Sequence, residues 1–207
     1  MDRRGSRYLI ESVLTRKEPT MISLTALWLP IVLSAVAVFI ASSVIHTVLQ
    51  YHKDDYKKTP SEDGVMEALR GFNLPPGDYV MPHAGSMKEM GSPEFKEKQN
   101  NGPVGFFTVL PNGQCGMGLQ LALWFAFSLL VGIMVAYIAR MSLPAGTDYL
   151  LVHRVTGATA FCCYSMAHLP SSIWYKKSWM ATMRNFLDGL VYGLLTGGVF
   201  GWLWPAA

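Results

Sequence analysis

Charge is scarce in this chain of 207 residues: Asp, Glu, Lys and Arg make up 15% of it, against 51% hydrophobic residues and a mean hydropathy of +0.25. So few charges cannot dress an ordinary soluble domain, and the composition excludes that class. Cysteine is scarce too. Cys115, Cys162 and Cys163 supply no disulfide framework, and neither CxxC nor CxxCH occurs. A net charge of +3, with no basic run interleaved with aromatics, gives nucleic acid no footing. Catalytic signatures are also missing: there is no nucleophile elbow, P-loop, H-E-x-x-H or dinucleotide fingerprint. Ser86 and His83 lie close together, but no orienting acid or oxyanion donor accompanies them. Nothing here points to an enzyme, and for a transporter only Pro30 and a row of glycines hint at broken helices.

What is present is a set of long apolar runs. About 20 apolar residues cross a bilayer as a helix. Residues 21–50, 118–140, 149–169 and 186–205 approach that rule, which predicts an all-α membrane protein with four transmembrane helices. A small α+β extramembrane domain is expected between helices 1 and 2. The first run could be taken for a signal peptide, with Ala35-Val36-Ala37 as its cleavage site, but it continues through Ile45 and reads as a retained helix kinked at Pro30. His153 and Arg154, one turn into the third run, predict a short span or a wet entrance. Residues 1–20 read as a flexible tail or an overlong start.

Residues 51–117 carry seven Lys/Arg and nine Asp/Glu. Thr59-Pro60-Ser61-Glu62 predicts a capped helix over residues 60–70, with Val65, Met66, Leu69 and Phe72 on one face. Ser92 is expected to cap a second short helix that ends at Gly102. VGFFTVL, residues 104–110, is the best strand candidate, pairing with residues 79–81.

The last run, FLDGLVYGLLTGGVFGWLW, repeats Gly189, Gly193, Gly197 and Gly201 every four residues, which lines them along one helix face. That groove lets a neighbouring backbone approach closely, for bundle packing or to seat a partner. Gly118, Ala122 and Ala126 in the second run, then Gly132 and Ala136, predict a similar contact face. Ahead of the last run, residues 171–185 read as an interfacial amphipathic helix. Trp174, Lys176, Lys177, Trp179 and Arg184 would sit at headgroup level, with Trp202 and Trp204 as the belt opposite.

Ionisable residues within spans are the functional candidates. With alternating helix directions, His46, His168 and Asp188 all fall on the loop side, where they could hold haem, a metal or a quinone headgroup. His52, His83, Met81, Met87 and Met90 offer soft ligands for Cu(I), but their spacing matches no metal motif. The positive-inside rule places the loop in the cytoplasm, unless Arg3, Arg4, Arg7, Arg16 and Lys17 are retained to offset the bias.

YHKDDYKK, LPPGDY, GSPEF, SIWYKKSW and FLDGLVYGLLTGGVFGWLWP together resemble a family of small, uncharacterised, multi-spanning bacterial inner-membrane proteins. The resemblance covers residues 21–205. It implies a bacterial inner-membrane location and brings no activity, cofactor or catalytic residue with it. The expectation is a structural or accessory component in contact with the lipid bilayer and a membrane-protein partner or a second copy of itself. The alternatives are a haem-, metal- or quinone-binding protein and a small transporter.

Overall fold

The computed structural model describes residues 21–113 and 116–207, so the expected N-terminal tail and Cys115 lie outside the described residues. The chain is mostly helical, with one small two-stranded sheet, and divides into two compact units. Among the described residues, one comprises residues 21–55 together with Met117–Ala207, and the other lies within Tyr56–Gly116.

In the first unit, Ser23 caps a 3-10 turn at Leu24–Leu27 by accepting from the Ala26 amide at 3.2 Å. This turn leads into α1 (Trp28–Val44) and a wider π-type turn, Ile45–Leu49, which Gln50 closes in the left-handed region at φ 50°. Pro30, where a kink is expected, lies in the first turn of α1, just after the 3-10 turn, where a missing amide hydrogen is tolerated.

The small Tyr56–Gly116 unit holds α2 (Glu62–Gly71), β1 (Gly77–Met81), α3 (Met87–Met90), α4 (Pro93–Asn101) and β2 (Gly105–Val109). β1 and β2 pair antiparallel with Tyr79 opposite Phe107, and those rings stack at 5.4 Å. Beside them Thr108 Oγ1 donates to Asp78 Oδ1 at 2.6 Å. Ser92 caps α4 as its sequence predicts, accepting from the Phe95 amide at 3.1 Å. The capping box at Thr59 does not form. Ser61 takes φ 51° and makes no side-chain cap bond, so α2 starts at Glu62 and Pro60 stays outside it.

The chain then returns through α5 (Met117–Ser142), α6 (Tyr149–Ser165), α7 (His168–Tyr175) and α8 (Trp179–Trp202). The expected interfacial helix over residues 171–185 is divided between α7 and α8. Lys176 ends α7 in the left-handed region at φ 54°, and Ser178 restarts the helix by accepting from the Ala181 amide. Pro170 opens α7 instead of closing the third run, which ends at Ser165. The Ser172 and Thr182 hydroxyls, 2.5 Å apart and buried, tie α7 to α8 across the break.

The α6/α8 interface is the most extensive in the molecule, and glycine explains it. A Cβ on Gly193 would stand 2.8 Å from the Gly157 carbonyl oxygen, one on Gly197 2.7 Å from that of His153, and one on Gly201 2.7 Å from the Tyr149 ring. One on Gly189 would collide with Ser165 Oγ. The expected face of α5 is corrected: Gly118, Ala122 and Ala126 are exposed, whereas Ser128, Val131, Gly132, Val135, Ala136 and Ala139 are buried. Six residues separate Ala126 from Gly132, which turns an α-helix about 600° and leaves the two small-residue sets about 120° apart. Gly132 meets the Ile31 backbone, where a Cβ would come within 3.2 Å of its carbonyl oxygen.

Two helical stretches, Leu24–Leu49 and Met117–Ser142, are long and apolar enough to cross a membrane. Only 33% and 28% of their most apolar windows are buried inside the molecule, unlike the mostly buried core helix of a soluble protein. α6 is shorter, at 17 residues, and α8 carries Thr182, Arg184, Asn185 and Asp188 in its first half.

Candidate functional site

A polar cluster is assembled where the end of the first helix meets the start of α8. After Gln50 turns the chain, two successive backbone turns, Lys53 to Gln50 and Asp55 to His52, bring an imidazole and a carboxylate face to face. His52 Nδ1 lies 2.6 Å from Asp55 Oδ2. On α8, Arg184 and Asp188 are four residues apart and share a face. Arg184 Nη1 donates to Asp55 Oδ1 at 2.5 Å, while Asp188 Oδ2 lies 3.0 Å from His52 Nε2. The Tyr51 hydroxyl donates to Asp188 Oδ1.

Burial alone would push the Asp55 carboxyl up, but the hydrogen bonds and charges of His52 and Arg184 outweigh it and hold the group below the usual carboxylate range. Burial, and then the hydrogen bond to Asp188, push the Tyr51 phenol well above its ordinary value, so it remains a donor. Asp188 is 4% exposed, and its only ion-pair partner among the described residues is His52. A buried carboxylate without Lys or Arg calls for a proton or another cation nearby.

His46 belongs to the same group. Its ring stacks on that of His52, with centroids 4.8 Å apart and planes within 6°, and its Nδ1 lies 3.0 Å from the Ser42 carbonyl oxygen. One ligand atom each from His46, His52 and Asp188 fall within 4.8 Å of one another.

Next to this cluster is a cavity of about 760 Å³. Ser42, His46 and Thr47 line it from the first helix, Trp124 and Phe127 from α5, Tyr164 from α6, His168 from α7, and Asp188 and Tyr192 from α8. Trp124 Nε1 is buried without a hydrogen-bond partner among the described residues, and the buried Tyr192 hydroxyl has the Ser42 side chain beside it, short of a well-formed hydrogen bond. Trp124, Tyr164 and Tyr192 pack edge-on or tilted at centroid distances of 5.2 to 6.1 Å, which gives the cavity an aromatic wall.

The structure therefore brings His46, His168 and Asp188 to one cavity, with His168 in its wall but outside the tight His46, His52 and Asp188 group. Sequence reasoning missed Tyr51, Asp55 and the role of His52, which it weighed only within a copper patch whose spacing matches no metal motif. The available signal was YHKDD itself, an imidazole with an acid three residues on, placed directly after an apolar run. Arg184 is paired with Asp55, not free at an interface. Trp174, Lys176, Lys177, Trp179 and Trp202 are exposed, while Trp204 is half-buried and donates from Nε1 to the Pro144 carbonyl at 3.0 Å. Met81, Met87 and Met90 are exposed. Compared with family profiles, curated proteins and solved structures, the chain matches none.

Proposed function

We propose that the chain is a four-span protein of a bacterial inner membrane that binds a quinone-class ligand, a carbonyl-bearing ring with an apolar tail, in the aromatic cavity. The observation that carries this reading is the buried and unpartnered Trp124 Nε1, with the weakly held Tyr192 hydroxyl near it, in a wall whose exposed surface is largely apolar. Orphan donors are matched by acceptors, and a quinone ring offers acceptors only. An anionic headgroup would instead face the Asp188 carboxylate. The volume lies within the usual range for a small-molecule site, about 300 to 1,000 Å³. Outward-facing apolar surface on the two long helices supports lipid around the bundle, with α6 and α8 as the shorter spans and the Tyr56–Gly116 unit in the cytoplasm.

Haem is less well supported, because His46 stacks on His52 instead of facing His168 across the width of a macrocycle. An accessory subunit seated on the glycine row has lost its docking groove, since α6 of the same chain fills it.

Titrating the purified protein in mild detergent with a short-chain ubiquinone analogue, read by tryptophan quenching, tests this. Saturable binding is expected. A hydrogen bond of about 1 kcal/mol corresponds to about fivefold in affinity, so Trp124→Phe and Tyr192→Phe should each weaken binding by about that factor. Quenching no better than partition into empty micelles, or affinity unchanged in both variants, would overturn it.

A further inference from the structure

We propose that His46 Nε2, His52 Nε2 and an Asp188 carboxylate oxygen bind one divalent first-row transition-metal ion of the Zn²⁺ type. The site goes beyond the quinone reading, sharing His46 and Asp188 with the cavity wall, and it stands even where that cavity takes no organic ligand.

Three observations carry it. The first is tautomer control. His46 Nδ1 faces a backbone carbonyl and His52 Nδ1 faces the Asp55 carboxylate, and both partners can only accept, so each Nδ1 carries the hydrogen. On His46 the lone pair is then at Nε2; on His52, Nε2 faces the Asp188 carboxylate at 3.0 Å and shares a proton with it that an incoming ion must displace. Metal-ligating histidines show this pattern, the second nitrogen tied to a carboxylate or a backbone carbonyl. Asp55 is in turn held by Arg184, so the outer layer of the site is itself fixed.

The second observation is charge. Asp188 is buried with no Lys or Arg partner among the described residues, and a divalent cation would compensate it. The Tyr51 hydroxyl steadies one oxygen and leaves the other turned to His52. The third is the stack. The His46 and His52 rings lie parallel with centroids 4.8 Å apart, which gathers two imidazoles from successive turns beside the Asp188 carboxylate.

Bonds of about 2.0 to 2.2 Å place tetrahedral donors about 3.4 Å apart. One ligand atom from each of the three residues lies within 4.8 Å of the others, so binding requires the group to draw in, with the exposed His46 as the member least held by its surroundings. The proton held between His52 Nε2 and Asp188 Oδ2 leaves to solvent as the ion enters. Two nitrogens and one oxygen leave a fourth position for water or a ligand, and N/O donors of this kind suit Zn²⁺, Co²⁺ or Fe²⁺.

The test uses the full chain, purified without a polyhistidine tag, stripped with chelator and titrated with Co²⁺ by visible absorption and with Zn²⁺ by calorimetry. One equivalent of each is expected, with d–d bands of a four- or five-coordinate N/O site that Zn²⁺ abolishes. His52→Ala and Asp188→Ala should lower affinity at least 100-fold, and Asp55→Asn 10- to 100-fold. His46→Ala removes an exposed side chain with no tertiary hydrogen bond, so it keeps the fold by circular dichroism and still loses at least 100-fold. His83→Ala is the control and should bind like the parent. Substoichiometric binding, absent d–d bands, or a His46→Ala protein that is folded and binds as tightly as the parent would overturn the proposal. Quinone titration of the same metal-free samples separates failure of this site from failure of the cavity reading.

Discussion

Arg184 and Asp55 show what a partly buried ion pair does at the level of single side chains. Each is mostly shielded, at 22% and 12% side-chain exposure, so the pair is screened less than a surface salt bridge, and removing one partner strands the other. Asp55→Asn and Arg184→Gln should each lower the thermal midpoint in detergent. The double variant should cost less than the sum, with a coupling of about 1 kcal/mol in a double-mutant cycle. Strict additivity would show that the contact contributes nothing to folding. At this scale the sequence was half legible. His46, His168 and Asp188 emerge by counting depth along apolar runs, because alternating helix directions bring the ends of runs one and three to the start of run four. His52 and Asp55 do not, because what aims them is the left-handed Gln50 and the turns that follow, and no periodicity announces such a turn.

At the scale of elements, glycine spacing decides which helices touch. Gly193→Leu or Gly197→Leu would drive a side chain into the α6 backbone, a clash that overpacking arguments put at about 1 to 3 kcal/mol or more. Loss of monodisperse protein, or a lowered melting midpoint, is the expected result. Ala126→Leu on the exposed face of α5 should leave both unchanged. The break between α7 and α8 gives a prediction of opposite sign. Lys176 sits at φ 54°, where a side chain costs about 1 kcal/mol and glycine does not, so Lys176→Gly should raise the midpoint slightly and Lys176→Val should lower it. Only the first of these features was partly readable. The four-residue glycine period in α8 survived because it runs unbroken. In α5 the small residues change phase between Ala126 and Gly132, and the two sets looked alike until the helix was given a direction. The break at Lys176 left no mark, since SIWYKKSW is as good a helical run as a broken one.

For the whole molecule, the proposed four-span arrangement makes a labelling prediction. In a background with Cys115, Cys162 and Cys163 replaced by Ser, cysteines placed at Lys58 and Lys177 should react with a membrane-impermeant maleimide from one side. A cysteine at Thr147 should react from the other. Lys177 and Thr147 labelling from the same side would show that α6 does not span and overturn the four-span arrangement. The broad architecture, helices with a small mixed unit between the first two, was legible from the shift between apolar and charged stretches. The cavity was not, because it is bounded by side chains from five separate segments whose approach is set by packing.

The chain leaves the bundle immediately after Asp55 and re-enters it at Met117, and the fastening of Asp55 to Arg184 and of His52 to Asp188 lies on the bundle side of that departure. The intervening stretch is thus spliced in behind a clasp that shuts without it. Tyr56–Gly116 behaves as a cassette: a version of the gene with a short flexible tether in its place should still yield an assembled helical body, and the vacated position is a natural port for grafting a reporter.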